Sequence, residues 1–90
     1  MNFTKEEIQG DSLVHHFNKI IDLYPNSYLV ESAYFYKGFY YLQKYGITGD
    51  VADIKSARLL FIEFLGKYSN TVFKGLVKEY LKTCNATLTI

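Results

Sequence analysis

The sequence feature that most constrains the fold of this 90-residue chain is an internal repeat with a spacing of 44 residues. A shift of 44 positions aligns residues 17–27 with residues 61–71 without a gap. The matched positions are apolar and then turn-forming in both copies: Phe17, Ile20, Ile21, Tyr24, Pro25, Asn26 and Ser27 pair with Phe61, Phe64, Leu65, Tyr68, Ser69, Asn70 and Thr71. Such self-similarity is typical of stacked helical units that bury their apolar faces against each other. We therefore expect one domain, residues 1–90, of about two repeats.

Apolar residues recur at spacings of three and four along most of the chain, which predicts helices rather than strands. Thr4 and Glu7 have the spacing of a capping box, so a first helix is expected to begin near Lys5. At Gly10 and Asp11 two alternatives stay open. The pair either ends this helix, with Asp11 capping a new one, or lies inside one longer helix.

The remaining helices are expected at regular intervals. Their predicted ranges are Leu13 to Leu23, Tyr28 to Tyr45, from Asp50 or Asp53 to about Tyr68, and about Val72 to Thr83. Pro25 cannot continue a helix, which sets the end of the first range. Aromatic residues cover most of the circumference of the helix 28–45, so we expect it to be the central one. Residues beyond Thr83 are expected to be frayed.

Polar residues between these ranges predict caps and turns. Asn26 or Ser27 is expected to cap the helix 28–45. The segment Gly46 to Asp50 is interpreted as a turn-rich linker. Either Asp50 or Asp53 is expected to cap the helix that follows it.

Composition excludes several classes of protein. Apolar residues make up 49% and aromatic residues 18% of the chain, which is too rich for disorder. The formal charge of +1 is spread without runs of one sign, so the basic footprint of a nucleic-acid binder is missing. No stretch reaches the roughly 18 apolar residues of a membrane span. The polar start is unlike a signal peptide, so an exported origin would place the signal, and any lipid-bearing cysteine, upstream of Met1.

Residues that could carry chemistry are few and scattered. Cys84 is the single cysteine, which excludes an intramolecular disulfide and a cysteine-based metal site. His15 and His16 are adjacent, and adjacent helical residues point about 100° apart, so they do not readily chelate one ion. No Ser-His-Asp arrangement, phosphate-binding glycine loop, HExxH or CxxC motif occurs. We therefore expect no enzymatic activity, no cofactor and no metal.

The spacing within each repeat resembles the second helix of a tetratricopeptide repeat. Offsets 0, 4, 7 and 12 are occupied by Leu13, Phe17, Ile20 and Pro25, and again by Ala57, Phe61, Phe64 and Ser69. In that motif a small residue allows close helix approach, an aromatic residue fills the gap between helices, and proline closes the turn. Gly38 and Tyr41 resemble the motif's first-helix glycine and tyrosine. The resemblance implies an all-α, right-handed stack of about four antiparallel helices.

Residues 11 to 83 resemble one tetratricopeptide subfamily in particular, the periplasmic YbgF and BamD proteins. The matching elements are Tyr24-Pro25, Ser27, Ala33 to Tyr41, Gly49-Asp50, Ala57 and Phe61-Ile62. Lys37, Ser69 and a longer segment from Tyr45 to Asp53 depart from the subfamily pattern. The resemblance implies an accessory lipoprotein on the periplasmic face of the outer membrane. Its partners would be components of the barrel-assembly machine or β-barrel precursors.

The resemblance also implies a binding surface, because tetratricopeptide arrays hold peptides or helices on the concave face of their first helices. Motif positions assign six residues to that face: Ser32, Phe35, Tyr36, Phe39, Leu42 and Gln43. Phe35, Phe39 and Leu42 are equally well explained as core residues. Tyr36 and Gln43 are favoured as contacts, since they combine contact area with hydrogen bonding.

Two other functional classes compete with this hypothesis. The first is a cytoplasmic structural or regulatory module, or a generic adaptor, that self-associates through the tyrosine-rich helix 28–45. The second is a helix-turn-helix reader of nucleic acid, which the missing basic face disfavours.

Overall fold

Five helices, joined by short turns, make up the part of the chain that the structure, a computed structural model, describes: residues 3–10 and 12–89. They are α1 (Lys5–Gln9), α2 (Ser12–Leu23), α3 (Leu29–Thr48), α4 (Val51–Lys67) and α5 (Lys74–Leu88). No strand occurs in these residues, so the all-α class is confirmed. The helix count exceeds the expected four because Gly10, in an extended conformation, separates α1 from α2. Asp11, the alternative cap, lies outside the described residues.

Side-chain caps fix two of the helix starts. The Thr4 Oγ1 accepts the backbone N–H of Glu7 at 3.1 Å, and the Glu7 Oε1 accepts that of Thr4 at 2.9 Å. This is the predicted capping box, which satisfies two backbone donors that a helix start leaves unpaired. Asp50, not Asp53, caps α4, because its Oδ1 accepts the backbone N–H of Ala52 at 2.9 Å.

The 44-residue repeat extends to hydrogen bonds in the turns that precede α3 and α5. The Ser27 Oγ accepts the backbone N–H of Leu29 at 3.1 Å. At the shifted positions, the Thr71 Oγ1 accepts the backbone N–H of Phe73 at 3.2 Å. Two turns with the same bonds, 44 residues apart, indicate that the repeat is a repeat of structure and not of composition alone.

Phe17 and Phe61 fill equivalent gaps between helices. Phe17 stacks on Tyr36 of α3 with ring centroids 6.4 Å apart. Phe61 packs on Tyr80 of α5 with centroids 5.6 Å apart, and Tyr80 is the residue 44 positions after Tyr36. Both phenylalanines are buried. The pairs α2 with α3 and α4 with α5 therefore bury the same aromatic position in the same way.

Helix α3 lies between the two halves of the core, as predicted for the helix 28–45. One cluster of buried residues joins α3 to α4 and α5: Phe35, Ile54, Ala57, Phe61, Phe64, Val77 and Cys84. A second joins α3 to α1 and α2: Ile8, Phe17, Ala33 and Tyr40. Tyr36 and Tyr41 pack against both clusters. The α3 helix is therefore the shared wall of the molecule.

Gly38 allows α3 and α4 to approach closely. A Cβ atom placed on Gly38 would lie 2.7 Å from Cε1 and 2.9 Å from Cδ1 of Phe61, which is well inside van der Waals contact. The Phe61 ring is fully buried, so it has no room to move aside. The glycine expected from the repeat motif is thus required at this position by the packing of a single ring.

The predicted linker from Gly46 to Asp50 is wrong for its first three residues. Helix α3 continues to Thr48 and ends at Gly49, which has a left-handed φ of 67°. The Thr48 hydroxyl donates to the Oδ2 of buried Asp53 at 2.7 Å, and this bond holds the last turn of α3 against α4. Residues that read as a loop because of their glycines and threonine therefore lengthen the helix.

The expectation of a frayed end beyond Thr83 is also wrong. Helix α5 begins at Lys74, two residues later than predicted, and continues to Leu88. Cys84 is fully buried, and Leu88 packs against the larger core cluster. The Arg58 Nε of α4 donates to the Asn85 Oδ1 at 2.7 Å. Tertiary contacts thus stabilise a last turn whose threonines and asparagine disfavour a helix on their own.

The outer face of α5 is polar where the equivalent face of α3 is apolar. In α3, the side packed toward α4 carries Tyr34, Gly38, Tyr41 and Tyr45. The residues 44 positions later are Lys78, Lys82 and Asn85 in α5, and Thr89 directly after it. All four are exposed. The similarity between α3 and α5 is therefore kept on the side of α5 that faces the core, and it is lost on the outer side.

Replacing Gly38 by alanine tests the close contact between α3 and α4. We expect Gly38→Ala to lower the free energy of unfolding by about 1–2 kcal/mol, because overlap with Phe61 outweighs the gain in helix propensity. Gly46→Ala is the matched control in the same helix, since its Cβ would meet no described atom within 4 Å. It should raise stability by up to about 1 kcal/mol. Urea denaturation measures both, and equal effects of the two variants would contradict the contact.

Thiol labelling tests whether α5 is ordered to its end. Burial raises the pKa of the Cys84 thiol above its ordinary value, which keeps it protonated and unreactive. Because the raised pKa belongs to the folded state, the thiol should resist Ellman's reagent at pH 8 until the protein unfolds. Labelling at the rate of a free cysteine in native buffer would show instead that the last turns open freely.

Candidate protein-interaction surface

An aromatic groove runs between α3 and α5. Its lining side chains are aromatic or aliphatic and come from both helices: Phe35, Tyr36, Phe39, Phe73, Leu76 and Tyr80. The groove has a volume of about 150 Å³, enough for one or two side chains and too small for a cofactor. All six lining residues are uncharged, so the groove suits apolar contacts with hydroxyl groups at its edges.

Ring stacking fixes the floor of this aromatic groove. Phe35 stacks on Phe73 with centroids 4.2 Å apart and planes at 9°, which joins α3 directly to the start of α5. Phe39 stacks on Tyr80 with centroids 5.6 Å apart. Such pairs contribute about 0.5–1.5 kcal/mol each beyond the area they bury. The aromatic groove is therefore a preformed surface rather than a soft patch.

The six predicted surface residues fall into two groups. Phe35 is 4% exposed and belongs to the core. The other five, Ser32, Tyr36, Phe39, Leu42 and Gln43, are half-buried, and Tyr36 and Leu42 also pack against the core. The structure thus favours the core interpretation for Phe35 and leaves the other five partly accessible.

Residues 3–10, which we call the N-terminal strap, cover the far end of that side of α3. The Phe3 backbone N–H donates to the Gln43 Oε1 at 3.0 Å. Its ring lies 5.8 Å from the Phe39 ring and 6.4 Å from the Tyr36 ring, measured between centroids. Three of the predicted surface residues are therefore in contact with the strap.

Two groove residues that sequence analysis missed could have been found from the repeat. Leu76 and Tyr80 lie 44 positions after Ser32 and Tyr36, which were predicted surface residues. Leu76 is half exposed and Tyr80 half-buried, so both contribute accessible area. Applying the shift to the predicted surface would have pointed to them, whereas no sequence signal indicated that Phe3 returns to α3.

The histidines and the larger hollow lie apart from the aromatic groove. In the described ranges, no group of three or more His, Cys, Asp and Glu side chains is placed to hold a metal ion. His15 and His16 are both exposed on α2. A larger hollow of about 480 Å³ lies between α4 and α5, but it is open to solvent, and Arg58, one of its two cations, is already bonded to Asn85. Among residues 3–10 and 12–89, no helix is long and apolar enough to cross a membrane.

Comparison with known proteins does not identify a family for this chain. No family model, no curated protein and no solved structure matches it.

Alanine substitutions should separate the floor of the aromatic groove from its rim. Phe35→Ala removes a buried ring at the centre of the larger cluster and should cost about 3–5 kcal/mol of stability. Leu76→Ala removes a side chain that is 50% exposed and should cost less than about 1 kcal/mol. Thermal or urea unfolding checks both values. If Leu76→Ala proved as damaging as Phe35→Ala, Leu76 would belong to the core.

Proposed function

We propose that this protein is a non-enzymatic scaffold that binds another protein through the aromatic groove and the adjoining side of α3. The single observation that carries the proposal is the groove itself, a preformed and uncharged aromatic surface left open between two helices of equivalent position. Aromatic side chains are enriched in the central, energetically dominant part of protein interfaces. Its small volume favours side chains of a partner over a free ligand.

A tetratricopeptide-like stack is the architecture that fits this role. The equivalent turns before α3 and α5 and the equivalent Phe17 and Phe61 contacts support it. In such a stack, α3 and α5 are successive first helices, and their shared side forms the concave face that binds a segment of the partner. The right-handed sense of the stack is part of the same proposal.

The proposed partner class is the β-barrel precursor, or a component of the machine that assembles it, following the resemblance to BamD. Strands of an outer-membrane barrel alternate apolar and polar residues, so an extended segment presents every second side chain on one face. Such a row of apolar side chains matches a groove lined by Phe39, Leu76 and Tyr80, with Gln43 at one end for the peptide backbone. We therefore propose a role like that of the N-terminal repeats of BamD in outer-membrane protein assembly.

The proposed location is the periplasmic face of the outer membrane, reached through a lipid anchor upstream of this chain. A cytoplasmic location is the alternative. Labelling with a radioactive fatty acid, followed by fractionation of membranes from cells that express the encoded precursor, distinguishes the two. Label in the outer-membrane fraction supports the proposal, and an unlabelled soluble protein contradicts it.

A self-associating adaptor is the second candidate, and one observation favours it. Tyr28 is 87% and Val72 is 89% exposed, and the two lie 44 residues apart at equivalent turns. Apolar residues repeated on one edge are typical of an interface. The tyrosines of α3 are half-buried or buried, so this contact would use the turns rather than the face of that helix. Light scattering tests it, because a monomer at every concentration excludes self-association.

Capture of partners should depend on the rim of the aromatic groove. We expect Leu76→Glu to reduce capture of unfolded β-barrel precursors or of the assembly machine by about tenfold or more, because a charge would be buried in the contact. Leu59→Glu is the matched control: Leu59 is 58% exposed on α4, away from the aromatic groove. It should change capture by less than about twofold. Failure of the unsubstituted protein to enrich either partner would count against the proposed function.

A further inference from the structure

The strap follows a path different from that of the segment 44 residues later in the chain. A shift of 44 places α1, Lys5–Gln9, on residues 49–53, where α4 begins. In the second repeat the chain runs straight on through α4. In the first repeat the extended backbone of Gly10 breaks the helix and the strap turns back across α3. The strap is therefore an element added to one repeat only, and it lies against the face proposed to bind a partner.

Apolar side chains and hydrogen bonds with Tyr40 and Gln43 hold the described part of the strap. The Phe3 ring lies 6.3 Å from the rings of both Phe17 and Tyr40, in addition to its contacts with Tyr36 and Phe39. Ile8 is buried in the smaller core cluster. The Tyr40 hydroxyl lies 2.8 Å from the carbonyl oxygen of Ile8 and 3.3 Å from that of Gly10. A further bond runs from the Phe3 N–H to the Gln43 Oε1.

We infer that the strap occupies in cis part of the partner site, and that a partner displaces it with a segment carrying an aromatic side chain in place of Phe3. The inference rests on the proposed function, because it concerns the same side of α3. The contacts of the strap show what this part of the site accepts. An aromatic ring packs among four other rings, its backbone N–H donates to Gln43, and an aliphatic residue follows five positions later.

The strap is weakly enough held to be displaced. Helix α1 has five residues, and helices so short are unstable without tertiary contacts. Its polar residues, Lys5, Glu6 and Glu7, are exposed and contribute nothing to the contact with α3. Among the described side chains of the strap, Phe3 and Ile8 supply the apolar burial that offsets the entropy of ordering it. Segments held in this way open more readily than the core, so the site is available for a competing segment.

The experiment uses the full chain and the strap sequence as its own probe. A fluorescent synthetic peptide of residues 1–10 is titrated into the unsubstituted protein and into Phe3→Ala. We expect the peptide to bind Phe3→Ala at least about tenfold more tightly than the unsubstituted protein. The intact strap leaves the site free for the peptide in only a small fraction of molecules. Amide NMR shifts should change at Tyr36, Phe39 and Gln43. The same peptide with Phe3→Ala is the probe control and should not bind.

A second variant guards against an effect of folding. Ile8→Ala removes the other apolar side chain that holds the strap and leaves the receiving side of α3 intact, so it should also expose the site and tighten peptide binding. Ile62→Ala, which removes an apolar side chain that is 44% exposed on α4, is the matched control and should leave peptide binding unchanged.

Each outcome decides one question. Equal peptide affinity for the unsubstituted protein and both strap variants would overturn the inference. A dimer that dissociates in Phe3→Ala would overturn it as well, since the strap would then pass between copies. Because this test needs no natural partner, strap competition without capture of precursors would refute the proposed function while the strap site stands. Capture that is unchanged in Phe3→Ala would refute the displacement alone.

Discussion

The contact between Gly38 and the Phe61 ring sets the arrangement of the other helices. With no Cβ on Gly38, α3 can lie against α4 closely enough for that ring to fill the gap between them. The opposite side of α3 then meets α2 and the strap, and Phe35 is left facing Phe73, directly before α5. A wider separation would leave the ring without neighbours on one side and would loosen both core clusters, because packing forces decline steeply with distance.

Local chemistry made much of the fold predictable. The capping box at Thr4, the cap at Asp50 and the stop at Pro25 involve residues a few positions apart, so their effect can be read without the rest of the molecule. The 44-residue shift added long-range information, since it anticipated equivalent positions for Phe17 and Phe61. The failures arose where distant groups override local preference: Asp53 extends α3 through Thr48, and the core around Cys84 orders the end of α5.

For the surface, too, local spacing was informative, whereas contacts between distant residues could not be foreseen. Motif spacing predicted six surface residues on α3, of which five are half-buried, yet spacing cannot tell a rim residue from a floor residue, and Phe35 is the floor because α5 covers it. Phe3 shows the limit most clearly. Its ring reaches α3 only because Gly10 turns the chain back, and Gly10 alone is compatible with a turn or with a continuing helix.

The polar outer side of α5 makes the molecule directional. Lys78, Lys82, Asn85 and Thr89 are polar and exposed, so they would not offer another hairpin the tyrosines that α3 presents to α4. A further hairpin could be added on this side if the four positions carried the equivalent residues of α3. These are tyrosine at three positions and glycine in place of Lys82. Growth of an array of such hairpins is thus controlled by a row of four side chains spaced three and four residues apart.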